Sequence, residues 1–114
     1  MDHNTTRDLL LALPGVTEGT SYGTPGFRLN KKLLVRFHQD GESLVLQCDL
    51  DKREVLLHTR PDVYFVTDHY LGYPWILVRL AAIEADELRE RLEEVWRERA
   101  TRKQVAELEG LRAG

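Results

Sequence analysis

Between Phe27 and Cys48, hydrophobic and polar positions alternate with the period of two that marks half-buried strands. Phe27, Leu29, Leu33, Val35 and Phe37 share one parity, and Arg28, Leu34, Arg36 and His38 share the other. Asp40-Gly41 breaks the alternation with a pair that tolerates the positive φ of a primed hairpin turn. A two-residue turn there pairs Gln39 with Glu42, hence Phe37 with Leu44, Val35 with Leu46 and Leu33 with Cys48. These apolar pairs fall on one face, so pattern and register agree. For Phe27 and Leu29 to share that face, the turn around Asn30-Lys31-Lys32 must hold an odd number of residues, as a three-residue bulged loop does.

The remaining pattern predicts helices and two more strands. Thr5-Thr6-Arg7-Asp8 sets a capping hydroxyl three residues ahead of a carboxylate, with Leu9, Leu10 and Leu13 behind it, so a helix is expected over 5–13, stopped by Pro14-Gly15. From Thr17 to Gly26 the chain is dense in Gly, Thr and Pro without periodicity and reads as a loop. Asp51 to Glu54 has a capping-box pattern that opens a short helix ending before Pro61. Val63–Thr67 and Trp75–Leu80 are rich in β-branched and aromatic residues and read as strands. Glu84–Ala100 carries Leu88, Leu92, Val95 and Trp96 on one helical stripe, and Thr101 with Gln104 opens a weaker helix holding Val105 and Leu108. Hairpin-joined strands among helices imply an α+β fold: an antiparallel sheet of about five strands backed by helices.

Composition narrows the function classes. A length of 114 residues with 42% hydrophobic content suits one domain over residues 1–114. The most apolar stretch, Tyr70 to Ile83, holds 14 residues and is interrupted by Gly72, Pro74 and Arg79, short of the ~20 that a spanning helix needs. The first six residues are polar, with no basic leader, so no secretion signal is expected. A lone Cys48 makes no internal disulfide and fits a reducing, cytoplasmic setting. With net charge −3 and pI ≈ 5.8, the chain lacks the overall basicity of a nucleic-acid binder. Any such role must rest on a local patch.

One local patch exists. Arg28, Lys31, Lys32, Arg36 and His38 are uninterrupted by acid from Phe27 to Gln39, and phosphate is their natural partner. The competing role is protective, because charges on a sheet face or hairpin tip also block edge-to-edge pairing. On the last strand Trp75, Leu77 and Arg79 alternate with Ile76, Val78 and Leu80. If the second set faces the core, Trp75 and Arg79 join Arg28 and Arg36 on a basic, aromatic surface; otherwise Trp75 packs beneath a helix and Arg79 snorkels past it. The run Glu84–Arg99 holds seven acids against four arginines and would repel DNA, so a duplex must approach from the sheet side. The expected loops carry Tyr22, His58, His69, Tyr70 and Tyr73, beside Trp75. His58 and His69 lack metal-ligand spacing, Cys48 falls on the core face, and no glycine pattern matches a phosphate loop. No catalytic residue, metal ligand or cofactor is assigned, and a non-enzymatic protein is expected.

The blocks LPGVTEGTSYGTPGFRL, LVLQCDLDKREVLL, DVYFVTDHYLGYPWILVRL and DELRERLEEVWRERATRK together resemble the MmcQ/YjbR family of small bacterial proteins, from about Leu9 to Val105. Tyr22-Gly23-Thr24-Pro25 and Phe27-Arg28 correspond to the family's entry into the first strand, and Gly72-Tyr73-Pro74-Trp75 to its entry into the last. Lys31 or Lys32 stands for the lysine of the following turn, with Asn30-Lys31-Lys32 replacing Gly-Gly-Lys, and Asp68-His69-Tyr70 replaces Pro-His-Tyr. The resemblance implies an α+β domain of double-wing type, commonly labelled DNA-binding, and no active site.

Three readings follow. In the first, a cytoplasmic module contacts duplex DNA through Arg28, Lys31, Lys32 and Arg36. In the second, a pocket between sheet and loops binds a small anionic or aromatic molecule through Tyr22, His58, His69, Tyr70 and Trp75. In the third, the acidic helix, with Glu90 and Glu94, is a protein-docking face.

Overall fold

A computed structural model describes residues 1–114. In chain order it contains α1 (His3–Leu11), β1 (Thr17–Ser21), β2 (Thr24–Leu29), β3 (Lys32–Phe37), β4 (Ser43–Gln47), α2 (Leu50–Thr59), β5 (Tyr64–Phe65), a 3₁₀ turn (Asp68–Tyr70), β6 (Trp75–Arg79), α3 (Ala85–Arg99) and α4 (Arg102–Ala113). The strands form one antiparallel sheet in the order β1-β2-β3-β4-β6-β5. The α+β expectation holds, with six strands rather than about five.

The sixth strand comes from the stretch read as a loop. Thr17–Ser21 pairs with Thr24–Arg28, and Tyr22-Gly23 makes the turn with φ of 54° and 80°. Four of its five residues are exposed, so this edge strand has no apolar alternation to betray it; pairing with β2 makes it a strand. Close approach at its end depends on Gly26, where a Cβ would lie 2.8 Å from the Ser21 Cβ. The next turn is also shorter than expected. Asn30-Lys31, with φ of 52° and 73°, forms a two-residue turn closed by Leu29 and Lys32. The odd residue that the pattern demands sits inside β3 instead: the register shifts between Phe27↔Val35 and Arg28↔Leu33, leaving Leu34 as the bulge.

At the third hairpin Phe37 faces Leu44 and Val35 faces Leu46, as predicted. The tip is wider than two residues, because the His38 N–H donates to Ser43 O (2.9 Å) and the Gly41 N–H to His38 O (3.0 Å). The Asp40 carboxylate accepts from the Glu42 and Ser43 amides at 2.8 and 2.9 Å, which fixes the loop. The expected strand over 63–67 shrinks to Tyr64–Phe65. Helix starts also differ: Asp2, not Thr5, caps α1 by accepting from the Thr5 N–H (2.6 Å), and Asp49, ahead of the expected box, caps α2 through the Lys52 N–H (2.8 Å). The Thr101–Gln104 capping box of α4 is present.

The two faces of the sheet are covered differently. Phe27, Val35, Leu46 and Ile76 form a row facing the helices, in a core of 22 buried residues to which α1, α3 and α4 contribute Leu10, Leu88, Leu92, Val95, Trp96 and Leu108. Leu56 and Leu57 of α2 pack against it. The predicted α3 stripe is thus wholly buried, each such side chain contributing about 1.5–3 kcal/mol. Trp96 is 0% exposed and donates its indole N–H to Pro14 O at 2.8 Å. Cys48 lies in this core as expected, and burial pushes its thiol up to about 11.

On the opposite face one register row crosses all six strands: Gly19, Gly26, Arg36, Val45, Leu77 and Phe65. Only Val45, Leu77 and Tyr70 form a buried apolar cluster there, flanked by Phe65, Val66 and Trp75. The segment from β5 to β6 folds over one half of this face. The other half is left to glycine and arginine.

Candidate ligand cleft

Where the covered half of this face meets the open half, a cleft of about 610 Å³ opens, lined by ten residues. Val45 and Leu33 are its apolar contribution from the strands, Tyr70, Tyr73, His69 and Trp75 come from the covering loop and the start of β6, and Tyr22 and Gln39 come from two hairpin tips. The size falls within the range of small-molecule pockets.

Arg36 is the centre of the cleft. Alternation assigned it to a polar face and hence to an exposed wing, but it is only 5% exposed, because Tyr70 and the β1–β2 turn close over it. Its Nη1 donates to Thr24 Oγ1 (3.2 Å), Phe37 O (3.2 Å) and Gln39 Oε1 (3.3 Å). Its Nη2 donates to Gln39 Oε1 (3.3 Å) and to the Tyr70 hydroxyl. The guanidinium also lies 5.3 Å from the centre of the Tyr22 ring. Every acceptor is neutral. Arg36 forms none of the ion pairs within 4.0 Å, and no carboxylate lines the cleft. Burying a charge without a counter-charge costs several kcal/mol.

The walls are held by separate devices. Gln39 bridges Arg36 to the β1–β2 turn, since its amide nitrogen donates to Tyr22 O at 3.3 Å. Tyr22 itself is 79% exposed and has a φ of 54°, the latter an outlier for a bulky residue. The opposite wall hangs on Arg53, the one fully buried residue of α2. Its guanidinium donates to the carbonyls of Tyr70 (3.1 Å), Leu71 (2.6 Å), Tyr73 (2.8 Å) and Trp75 (3.1 Å), gathering residues 70–75 into one rigid loop.

Tyr22, His69, Tyr70 and Trp75 of the predicted pocket set meet in the cleft. His58 does not; it lies exposed in the last turn of α2. Trp75 packs against Val45, Leu77 and Tyr70 rather than beneath a helix, and Arg79 lies 4.3 Å over the Phe65 ring, away from the cleft. Of the basic set, Arg28 is half-buried on β2, and Lys31 and Lys32 are exposed at the β2–β3 turn, which Asn30 ties to α4 through Gln104. Four residues of strand, about 13 Å, separate Lys32 from the buried Arg36, so these cations do not form one surface patch. On the acidic helix, Glu94 is engaged by Lys52 and Arg91, and Glu90 by Arg91.

Sequence reasoning overlooked Gln39, seen only as a turn flank, and Arg53, absorbed into a capping pattern. The available signal for Arg53 was that Val55, Leu56 and Leu57 make no coherent helical stripe, which leaves another residue to face inward. Leu33 was assigned to the core with Cys48; the bulge at Leu34 turns it toward the cleft instead.

The YjbR family model matches residues 11–98. Proteins of Mycobacterium tuberculosis strain H37Rv and Mycobacterium bovis, both described as uncharacterized, are each 51% identical to the chain over 41 residues. That stretch is 36% of this chain and 32% of each relative, so the match spans about a third of the relatives' length. The crystal structure of Deinococcus radiodurans protein DR2400, with a DUF419 domain, is similar at a TM-score of 0.72, 20% identity, and coverage of 94% of this chain and 87% of that one. This likeness is one of fold. No helix here is long and apolar enough to cross a membrane.

Proposed function

The chain belongs to the YjbR family, and we propose that this member is a non-enzymatic binding module whose cleft takes a small anionic or aromatic molecule between the sheet and the 66–75 loop. One observation carries the reading: Arg36, a buried cation without a carboxylate partner, faces a cleft ringed by Tyr22, Tyr70, Tyr73 and Trp75. Such a charge is costly to bury, and unlike Arg53 it stands beside an open cleft where an anion from solution can complete its balance. Aromatic side chains supply contact area at low entropic cost.

Duplex DNA contacted through Arg28, Lys31 and Lys32 is the competing reading, supported by their exposure and half-exposure on one hairpin. Amide-resolved NMR titration separates the two. A panel of small aromatic anions is expected to shift residues 22, 36, 39 and 69–75. A duplex that shifts residues 28–32 instead, with affinity falling by ~0.9 log units per log unit of salt for each phosphate contacted, would overturn the pocket reading.

A further inference from the structure

We infer that the ligand of this cleft is a planar aromatic monoanion held through a carboxylate, rather than a phosphate ester; the inference rests on the pocket reading above. The first argument is charge. One buried guanidinium, without a partner acid, is balanced by a single negative charge, whereas a phosphate monoester carries −1.5 to −2 near neutral pH. The imidazoles of His38 and His69 also line the cleft, His38 lying 3.2 Å from the Asp40 carboxylate, and Arg36 is the one permanently charged side chain of the lining.

The second argument is the donor set. Phosphate sites use a guanidinium fork, or several backbone N–H groups at a helix start or glycine-rich nest. Here the fork is occupied, since both terminal nitrogens of Arg36 donate to Thr24, Phe37, Gln39 and Tyr70. No helix of this chain begins among the lining residues except the single 3₁₀ turn at 68–70. Two donors remain. Arg36 Nε–H has no acceptor in the protein, and it is absent from the sealed unpaired atoms, which are Gln47 Oε1, Arg53 Nε and Arg91 Nε. The Tyr70 hydroxyl accepts from Arg36, so its own proton is free to donate, strengthened by the charge behind it. Two donors suit the two oxygens of a carboxylate.

The third argument is shape. Leu33 and Val45 offer an apolar floor, and Tyr22, Tyr73 and Trp75 offer ring faces or edges. A flat ring meets all of them, and Tyr22 and Tyr73, both exposed, are not otherwise stabilised by burial.

Calorimetric titration of the full chain with naphthoate, neutral naphthamide and naphthyl phosphate tests the assignment. Naphthoate is expected to bind, with naphthamide and naphthyl phosphate each at least ~10-fold weaker, the loss that follows from one charge-assisted hydrogen bond. Tyr70→Phe should weaken naphthoate roughly 10-fold and naphthamide, whose neutral carbonyl accepts the same hydroxyl proton more weakly, by less. Tyr22→Ala, at an exposed position where folding is not at risk, should weaken both equally. Tighter binding of naphthyl phosphate than of naphthoate would overturn the carboxylate assignment while leaving the pocket reading standing. Failure of all three to bind, with wild-type folding intact, would overturn both.

Discussion

Two buried arginines divide the helix-free side of this molecule into two regions. Arg53 is 4% exposed and Arg36 is 5% exposed, and neither pairs with a carboxylate. Arg53 faces four backbone carbonyls of one loop, which are fixed dipoles that the fold itself supplies. Arg36 relies mainly on side-chain oxygens at the wall of an open cleft, together with Phe37 O and two tyrosine rings. The difference teaches that burial alone does not say what a charge is for. A guanidinium that satisfies main chain serves the architecture; one left facing a cavity has room to meet a ligand.

Removing each arginine should therefore cost very different amounts of stability. Arg53→Met is expected to destabilise by about 2–4 kcal/mol, at roughly 1 kcal/mol for each of the hydrogen bonds lost, and to loosen the wall made by Tyr70, Tyr73 and Trp75. Urea unfolding reads the first effect, and the emission of Trp75, set against the core-buried Trp96, reads the second. Arg36→Met should change stability by no more than about 1 kcal/mol, since Thr24 and Gln39 at the open cleft can turn to water and the deleted charge offsets the hydrogen bonds lost, and should abolish anion binding. A loss of stability equal to that of Arg53→Met would erase the distinction between the two sites.

Smaller effects sharpen the same contrast. Tyr22→Asn relieves the positive φ of the turn and is expected to stabilise by about 0.5–1 kcal/mol in a thermal melt while weakening ligand binding. Farther from the cleft, the Arg112 guanidinium, reinforced by Arg97, holds the Glu93 carboxyl below the usual range and ties α4 to α3. A depressed carboxyl contributes stability above its unfolded pKa and loses it as pH falls through the folded one. Stability should thus drop below about pH 4.5, by ~1 kcal/mol or less because the pair is partly solvated, and Glu93→Gln should flatten that drop. The cleft is not involved, so anion affinity should be untouched by Glu93→Gln at neutral pH.

Much of the core was legible before folding because it follows from local periodicity. The α3 stripe, the Phe37–Leu44 and Val35–Leu46 register and the Thr101–Gln104 cap each depend on residues close in sequence or on a parity rule. The pocket residues Tyr22, His69, Tyr70 and Trp75 were visible as aromatics and a histidine around loops. His58 shared that chemistry and not the location, because α2 extends through it to Thr59. Strand β1 was illegible since four of its residues are exposed and only its partner orders them.

Sequence alone determined which positions are apolar, which face Phe37, Val35, Leu44 and Leu46 share and where charge is concentrated, because side-chain alternation and helix period are properties of the local chain. Only the tertiary structure decided what covers each face. Arg36 has the same place in the alternation whether it meets water or Tyr70, and that choice was made by a loop some thirty residues later in the chain, drawn across the sheet by the carbonyl contacts of Arg53. Long-range burial, unlike periodicity, is set by which distant segment satisfies its own backbone there.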